Sequence, residues 1–263
     1  FSRDTSRVVV AQSKESASVW NTAVGRPMST LAWRQGMASA AAFSPDGARV
    51  ALGLTDGTAH VWNAATGELL ATLSGHTDRF WSLEFSADGK RVLTASVDKT
   101  ARVWDAATGS PQLAVNEPAV VWSARWNALG TQVVTTSLDR SARIWDVQSG
   151  TCGTVLRSDT PIDSAAFSPD GGLLVTLGSS EPIARIWNTL TEKPVAECVG
   201  HRKGLRSAVF SADGSRLLTG SRDGTSRLWV TSTGATHAQF GGGLAAWNDD
   251  ESRVVTASTT DGT

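Results

Sequence analysis

Six tryptophans constrain this chain more than any other feature: Trp20, Trp62, Trp104, Trp145, Trp187 and Trp229 are separated by 42, 42, 41, 42 and 42 residues. A fixed period of this size marks one structural unit copied along the chain, and it outranks local propensity in deciding the fold. Each Trp closes a short β-forming run: SVWN (18–21), HVWN (60–63), RVWD (102–105), RIWD (143–146), RIWN (185–188) and RLWV (227–230). The chain has eleven Trp and no Tyr, an imbalance that a copied unit explains.

The rest of the unit repeats as well. About nineteen residues before each Trp stands an aromatic (Phe1, Phe43, Phe85, Trp126, Phe167, Phe210), and Trp247 begins a further copy. A turn follows it: SPDG at 44–47 and 168–171, SADG at 86–89 and 211–214, and the weaker SRDT, NALG and NDDE. Asp-Gly between alternating apolar runs signals a hairpin, because these residues tolerate the positive φ of a tight turn. A second run leads to a turn bearing Asp56, Asp98, Asp139 or Asp223; after the Trp run comes a turn with Gly25, Gly67, Gly109, Gly150 or Gly234. A fourth run, such as 67–73, completes the unit. Four short strands, polar turns and no helical period predict an all-β array. A lone four-stranded antiparallel sheet leaves both faces uncovered, and stacking such sheets around an axis covers them, so a β-propeller is expected.

The unit resembles the WD-repeat family. One copy carries Gly75-His76, Thr94, Asp98 and Trp104-Asp105; another carries Gly200-His201, Thr219, Asp223 and Trp229, with Val230 in place of the final Asp. The copy ending at Trp187 has Glu181 where Asp is usual and one inserted residue, and the first copy has Lys14 there. The resemblance implies a single WD-repeat propeller domain over residues 1–263, a piece of a longer chain since Phe1 falls inside a pattern already under way. Phe1–Ser2 read as the end of an innermost strand and Asp261–Thr263 as the start of a third strand. Seven blades, the family's usual number, are favoured; six is the alternative, with the strand near Leu244–Trp247 completing the first blade.

Composition excludes several classes. A net charge of −1 gives no global pull toward nucleic acid or anionic membrane. No apolar run approaches the roughly 18 residues of a spanning helix. Two cysteines, Cys152 and Cys198, make no disulfide framework, which favours a reduced, cytoplasmic setting. The histidines His60, His76, His201 and His237 lie far apart without metal-site spacing, and phosphate-loop and dinucleotide motifs are absent, so no metal and no cofactor are expected. His60 stands where other copies have Arg102, Arg143, Arg185 and Arg227 and reads as a solvated strand residue; the arginines, one per unit, form no contiguous basic patch.

The His–Thr–Asp sets superficially suggest a hydrolase. The family resemblance implies instead a structural network, in which His76 reaches Asp98 and Thr94 and the Trp104 indole extend it, with His201, Thr219, Asp223 and Trp229 as its counterpart. No catalytic residue and no enzyme activity are expected. Function should lie where the repeat is broken, because repeat-constant residues serve the fold. The position four before each inner aromatic holds Ser39, Trp81, Trp122, Asp163, Arg206 and Gly243; the position one before holds Ala42, Glu84, Arg125, Ala166, Val209 and Ala246. Strict alternation would bury Asp163 and Arg206, at several kcal/mol each unless paired. The resemblance implies a bulge that turns this position to the mouth of a central channel. Arg79, Trp81, Glu84, Trp122 and Arg125, with Asp163 and Arg206 beyond, then form a candidate partner-binding surface, since exposed Trp with Arg is the composition of interface hot spots. The bland alternative is that both Trp cap the inner core.

Two functions follow. The first is a non-catalytic protein- or peptide-binding scaffold, the sensor or regulatory propeller of a larger bacterial signalling protein, because the uniform repeats and AATG turns resemble such bacterial arrays. Flanking domains or chains would complete its ring. The second is a small-molecule-binding or hydrolytic propeller using the channel.

Overall fold

The computed structural model describes residues 1–11, 15–248, 251 and 253–257; Lys14 and Asp261–Thr263 lie outside the described residues. Two compact units divide the chain, Phe1–Ala124 and Arg125–Thr263. Every described element is a β-strand or a turn, and no helix occurs among the described residues.

The first unit opens with a three-stranded sheet of β1 (Arg7–Ala11), β2 (Ser16–Asn21) and β3 (Arg26–Ala32). A four-stranded sheet of β4 (Ala38–Phe43), β5 (Arg49–Leu54), β6 (Thr58–Asn63) and β7 (Leu69–Ser74) follows. Next come β8 (Phe80–Phe85), β9 (Arg91–Ser96), β10 (Thr100–Asp105) and β11 (Pro111–Asn116). The division between units falls inside β12 (Val121–Trp126).

In the second unit, β13 (Gln132–Ser137), β14 (Ser141–Asp146) and β15 (Cys152–Arg157) continue the sheet that β12 begins. Two more four-stranded sheets are β16 (Ser164–Phe167), β17 (Leu173–Leu177), β18 (Ile183–Asn188), β19 (Pro194–Val199), and β20 (Leu205–Phe210), β21 (Arg216–Ser221), β22 (Thr225–Val230), β23 (Thr236–Gly241). A pair, β24 (Leu244–Trp247) and β25 (Val254–Ala257), ends the described chain. Strands pair antiparallel with their chain neighbours throughout these sheets. Order within each sheet is sequence order because each hairpin is closed by a tight polar turn.

The period of 41–42 residues sets how sheets pack within each unit. Each apolar cluster draws on two successive sheets and is closed by the third-strand Trp of the later one. Val19 and Leu31 meet Val50, Leu52 and Trp62; Ala51, Val61 and Leu73 meet Phe80, Phe85 and Trp104. The second unit repeats this with Val134 and Ile144 against Leu174 and Trp187, and with Val175 and Ile186 against Phe210 and Trp229. A large flat side chain copied once per unit therefore holds one sheet against its neighbour, and truncating one costs roughly 3–5 kcal/mol.

Turn chemistry is copied with equal fidelity. In the first turn, Ser44 donates to Asp46 at 2.5 Å, and the amide of Arg49 donates back to the Ser44 hydroxyl at 2.9 Å. The weak variant SRDT folds alike: Ser2 donates to Asp4 at 2.6 Å, and Thr5 takes the positive φ (56°) that Gly supplies elsewhere. In NALG the side chain of Asn127 substitutes, accepting from the amides of Thr131 and Gln132. Arg7 and Arg49 then tie turn to turn, each donating to the carbonyl of the next sheet's turn glycine, Gly47 and Gly89, at 2.6 Å. Gly67 must be glycine on two counts: its φ is +73°, and a Cβ there would stand 2.5 Å from the Thr30 carbonyl oxygen.

Ser2 forms the first turn by donating its amide to the Arg7 carbonyl, as Ser44 does to Arg49.

Candidate functional site

The two His-bearing units place their polar residues in the same closed chain. Thr94 on β9 and Trp104 on β10 lie diagonally across the strand pair, Thr94 opposite Arg102 and Trp104 opposite Val92, and the turn after β7 in the preceding sheet delivers His76 onto them. The Trp104 indole donates to the Thr94 hydroxyl at 2.9 Å, Thr94 lies 2.8 Å from His76 Nε2, and His76 Nδ1 lies 2.7 Å from Asp98. An ionised carboxylate only accepts, so Nδ1 carries the proton and donates to Asp98. Nε2 then accepts from Thr94, whose lone pair takes the indole N–H. Every donor finds one acceptor, and this assignment follows from the network itself. Asp98 also accepts from the Thr77 amide and from the amide and hydroxyl of Thr100.

The copy at His201 matches: 2.8 Å to Thr219, 3.1 Å to Asp223, and 2.8 Å from the Trp229 indole to Thr219. Both histidine side chains are fully enclosed, and burial lowers their pKa, outweighing the neighbouring carboxylates that raise it. Burial raises the Asp98 and Asp223 carboxyls, yet the hydrogen bonds they accept hold both below the ordinary range. The glycine of each Gly-His pair leaves its side-chain space to an arginine: Arg102 Nη1 and Arg227 Nη1 lie 2.7 and 2.5 Å from where a Cβ would stand on Gly75 and Gly200. A nucleophilic hydroxyl must reach substrate, whereas those of Thr94 and Thr219 belong to residues with no exposed surface and are bonded on both sides. This constellation locks loop to sheet.

Two units lacking the histidine keep half of the network, a feature the sequence reading missed. Trp145 donates to Thr135 and Trp187 to Thr176, both at 2.8 Å. The signal was a Thr ten or eleven residues before each Trp. Here arginine replaces histidine as the partner of the turn carboxylate: Arg143 reaches Asp139 at 2.7 Å, and Arg185 grips both oxygens of Glu181 at 2.7 Å. Glu181 is thus a working replacement for Asp, and Thr160 donates to it as well. The Asp of the Trp-Asp pair caps the third turn, with Asp105 accepting from the amides of Ala107 and Thr108; Asn63 and Asn188 do the same.

His60 and the cysteines stand apart from this network. His60 is half-buried, 3.0 Å from the Thr72 hydroxyl and edge-on to Trp62, so it is less solvated than its position suggested; burial lowers its pKa. Cys152 is exposed, and Cys198 is buried with its thiol pushed up to about 12 by desolvation.

Three of the non-repeat positions, Ser39, Trp81 and Arg206, sit at a bulge. Pairing of β8 with β9 shifts between Phe80 and Ser82, which leaves Trp81 as the extra residue; Ser39 and Arg206 occupy the same shift in β4 and β20. A bulge re-aims one side chain without moving the rest of the strand off register. Trp81 is consequently 40 % exposed while its neighbour Phe80 is buried. In the first unit the Trp81 and Trp122 rings lie 4.8 Å apart at 47°, and the Arg79 guanidinium stands 5.0 Å from the Trp81 ring centre. Trp122 is half-buried, and its indole N–H is shielded from solvent with no acceptor among the described residues. Glu84, on the same strand as Trp81, is half-buried. Among the candidates in the second unit, Arg125 and Arg206 are exposed, whereas Asp163 is half-buried and accepts from the Ser179 amide.

Comparison with known proteins gives consistent matches. Residues 37–239 match the family model described as the IFT122 first beta-propeller. The chain is 43 % identical over 65 residues to human apoptotic protease-activating factor 1, covering 25 % of this chain and 5 % of that protein. It is 33 % identical over 75 residues to the guanine nucleotide-binding protein subunit beta of Schizosaccharomyces pombe, covering 28 % and 24 %. Human WD repeat-containing protein 86 is 57 % identical over 37 residues, covering 14 % and 10 %. The chain thus spans at most 24 % of the length of these relatives. The crystal structure of the computationally designed Ika8 protein superposes with a TM-score of 0.84 at 22 % identity, covering 96 % of this chain and 78 % of that one.

Proposed function

Because this chain belongs to the IFT122 first beta-propeller family, a family of WD-repeat β-propellers, we propose that it is a non-catalytic scaffold whose ligand is a protein or peptide docking on the Trp81–Trp122 pair. One observation carries this reading: an aromatic pair absent from the repeat stands partly exposed, Trp81 on a bulge, at a position where other repeats hold Ser, Asp, Arg or Gly. Folding does not demand tryptophan there. Arg79 borders the pair, and a rigid indole flanked by a cation is what interface anchors are made of. In the second unit, taken by itself, Arg125 on β12, Asp163 just before β16 and Arg206 on β20 are separate candidates for partner contact.

A seven-bladed ring fits this role best. Seven sheets occur among the described residues, and β24 has β25 as a partner of its own, which favours seven blades over six. The chain would then be the regulatory propeller of a larger signalling protein. The uniform repeats and the AATG turns support placing it with bacterial arrays of that type.

The test is a paired comparison of Trp81→Ala/Trp122→Ala with the parent chain. Partners captured by the parent should be lost, at a binding cost of about 2 kcal/mol or more, with the melting temperature nearly unchanged. Unaltered capture by the double variant, or its unfolding, returns both residues to a structural role.

A further inference from the structure

We infer that the β20–β23 sheet carries a docking surface for an acidic protein segment, a short run of Asp and Glu, held by Arg202, Lys203, Arg206 and Arg222. This surface extends the scaffold reading, from which it takes Arg206, and shares no residue with the Trp81–Trp122 pair.

Three observations converge on it. First, the charges break the repeat. At the position of Arg202 the preceding repeats hold Gln35, Thr77, Pro118 and Asp159; at that of Lys203 they hold Gly36, Asp78, Ala119 and Thr160. Where Arg222 stands they hold Thr55, Val97, Leu138 and Ser180, and where Arg206 stands, Ser39, Trp81, Trp122 and Asp163. No Lys or Arg occupies any of those places, yet here all four are cationic and all four are exposed. Residues that the repeat does not require are free to serve a partner.

Second, the frame beneath the cations is that of the His76 loop, which carries other side chains. The Arg202 amide donates to Asp223 at 2.8 Å, as the Thr77 amide does to Asp98 at 3.0 Å. The Ser221 hydroxyl donates to the Lys203 carbonyl at 2.8 Å, as Ser96 does to that of Asp78 at 3.0 Å. The Arg222 amide donates to the Gly204 carbonyl at 3.0 Å, as Val97 does to Arg79 at 3.1 Å. The loops fold alike without the cations. Hydrogen bonds between the two loops hold the four residues together at one end of a complete four-stranded sheet.

Third, the charge is not neutralised in place. Among the described residues Arg202, Lys203 and Arg222 form no ion pair. Asp223, the one carboxylate in the two loops, is engaged by His201, the Arg202 amide and Thr225. Four cations less that carboxylate leave an excess of three positive charges over 200–206 and 221–224. In the preceding sheet, Glu181 is gripped by Arg185 and Asp163 accepts from the Ser179 amide.

The same loops select the occupant. A cradled phosphate is bound by converging main-chain amides. Here the amides of Arg202, Leu205, Arg222, Asp223 and Gly224 all donate inward to the chain. Nucleic-acid bases need an exposed ring to stack on, whereas Phe210 and Trp229 of this sheet are buried and Phe240 is half-buried. What remains is a set of long cationic side chains on two loops, and separate carboxylates along an extended segment complement it.

The experiment is fluorescence anisotropy of a labelled octapeptide of alternating Asp and Glu, titrated with the intact chain. Binding should weaken about tenfold or more in Arg202→Ala/Lys203→Ala/Arg222→Ala, and similarly for the parent between 50 and 500 mM sodium chloride. If that variant fails to melt cooperatively, Arg202→Gln/Arg222→Gln serves in its place. Removing three exposed cations elsewhere, in Arg26→Ala/Lys90→Ala/Lys193→Ala, should change binding by no more than about twofold. The Trp81→Ala/Trp122→Ala chain should bind the peptide as the parent does, which separates this surface from the proposed Trp face. No binding by the parent at low salt, equal weakening in the two triple variants, or loss of binding in the Trp variant overturns the inference. So does tighter binding of an oligothymidylate or of phosphatidylserine vesicles than of the peptide.

Discussion

Replacing His201 with Ala tests the buried network most directly. The imidazole is fully enclosed and bonds to Thr219 at 2.8 Å and to Asp223 at 3.1 Å. Without it, Asp223 keeps the Arg202 amide at 2.8 Å, so the carboxylate stays satisfied. Thr219 fares worse, because its hydroxyl proton is left with the Arg227 carbonyl at 3.4 Å, a long bond in a residue with no exposed surface. An orphaned buried hydroxyl costs about 1–3 kcal/mol, and the vacated ring adds about 1–2 kcal/mol for lost packing. The total is on the order of 2–5 kcal/mol, or roughly 4–20 °C in melting temperature for a cooperative chain of this size. The loss should also depend on pH. Burial holds the His201 pKa below its ordinary 6.5, so the folded chain resists protonation there. This contribution is fully present above pH 6.5 and fades as pH falls toward the lowered folded value. The parent–variant gap measured by thermal melts should therefore narrow from pH 8 to pH 5. Equal melting temperatures at pH 8, or a gap that widens in acid, would refute the assignment of a neutral, hydrogen-bonded imidazole.

Two further substitutions probe the copied elements. Thr135→Val keeps the side-chain shape but removes the acceptor of the Trp145 indole; urea unfolding should register a loss of about 1–2 kcal/mol, showing that the Thr–Trp link matters without a histidine. Val230→Asp restores the turn cap that Asp105 and Asp146 provide elsewhere; a gain of about 0.3–1 kcal/mol is expected in the same assay.

Legibility varied with how local each interaction is. The hairpins, their turns and the Trp strands could be read from the chain because each is decided within a few residues and then copied. The bulge at Trp81 is what the family resemblance implied, and β8 and β20 shift register at Trp81 and Arg206. Arg185 gripping Glu181 was not anticipated, nor was Arg143 with Asp139. Those pairs depend on a histidine being absent from a loop of the preceding sheet, a relation that spans more than twenty residues. His60 misled for a similar reason: its burial comes from Thr72 and Trp62 on flanking positions, which a polar label does not reveal.

The sequence alone therefore determined the all-β architecture and the length of the unit, because a period is a property of the chain, while the His–Thr–Asp–Trp sets were what the family resemblance implied. Only tertiary structure decided which surfaces remain open. Trp81 leaves the core because a single extra residue in β8 rotates it outward. Exposure is what remains after every neighbour is placed, so the surfaces available to a partner emerge only in the folded chain.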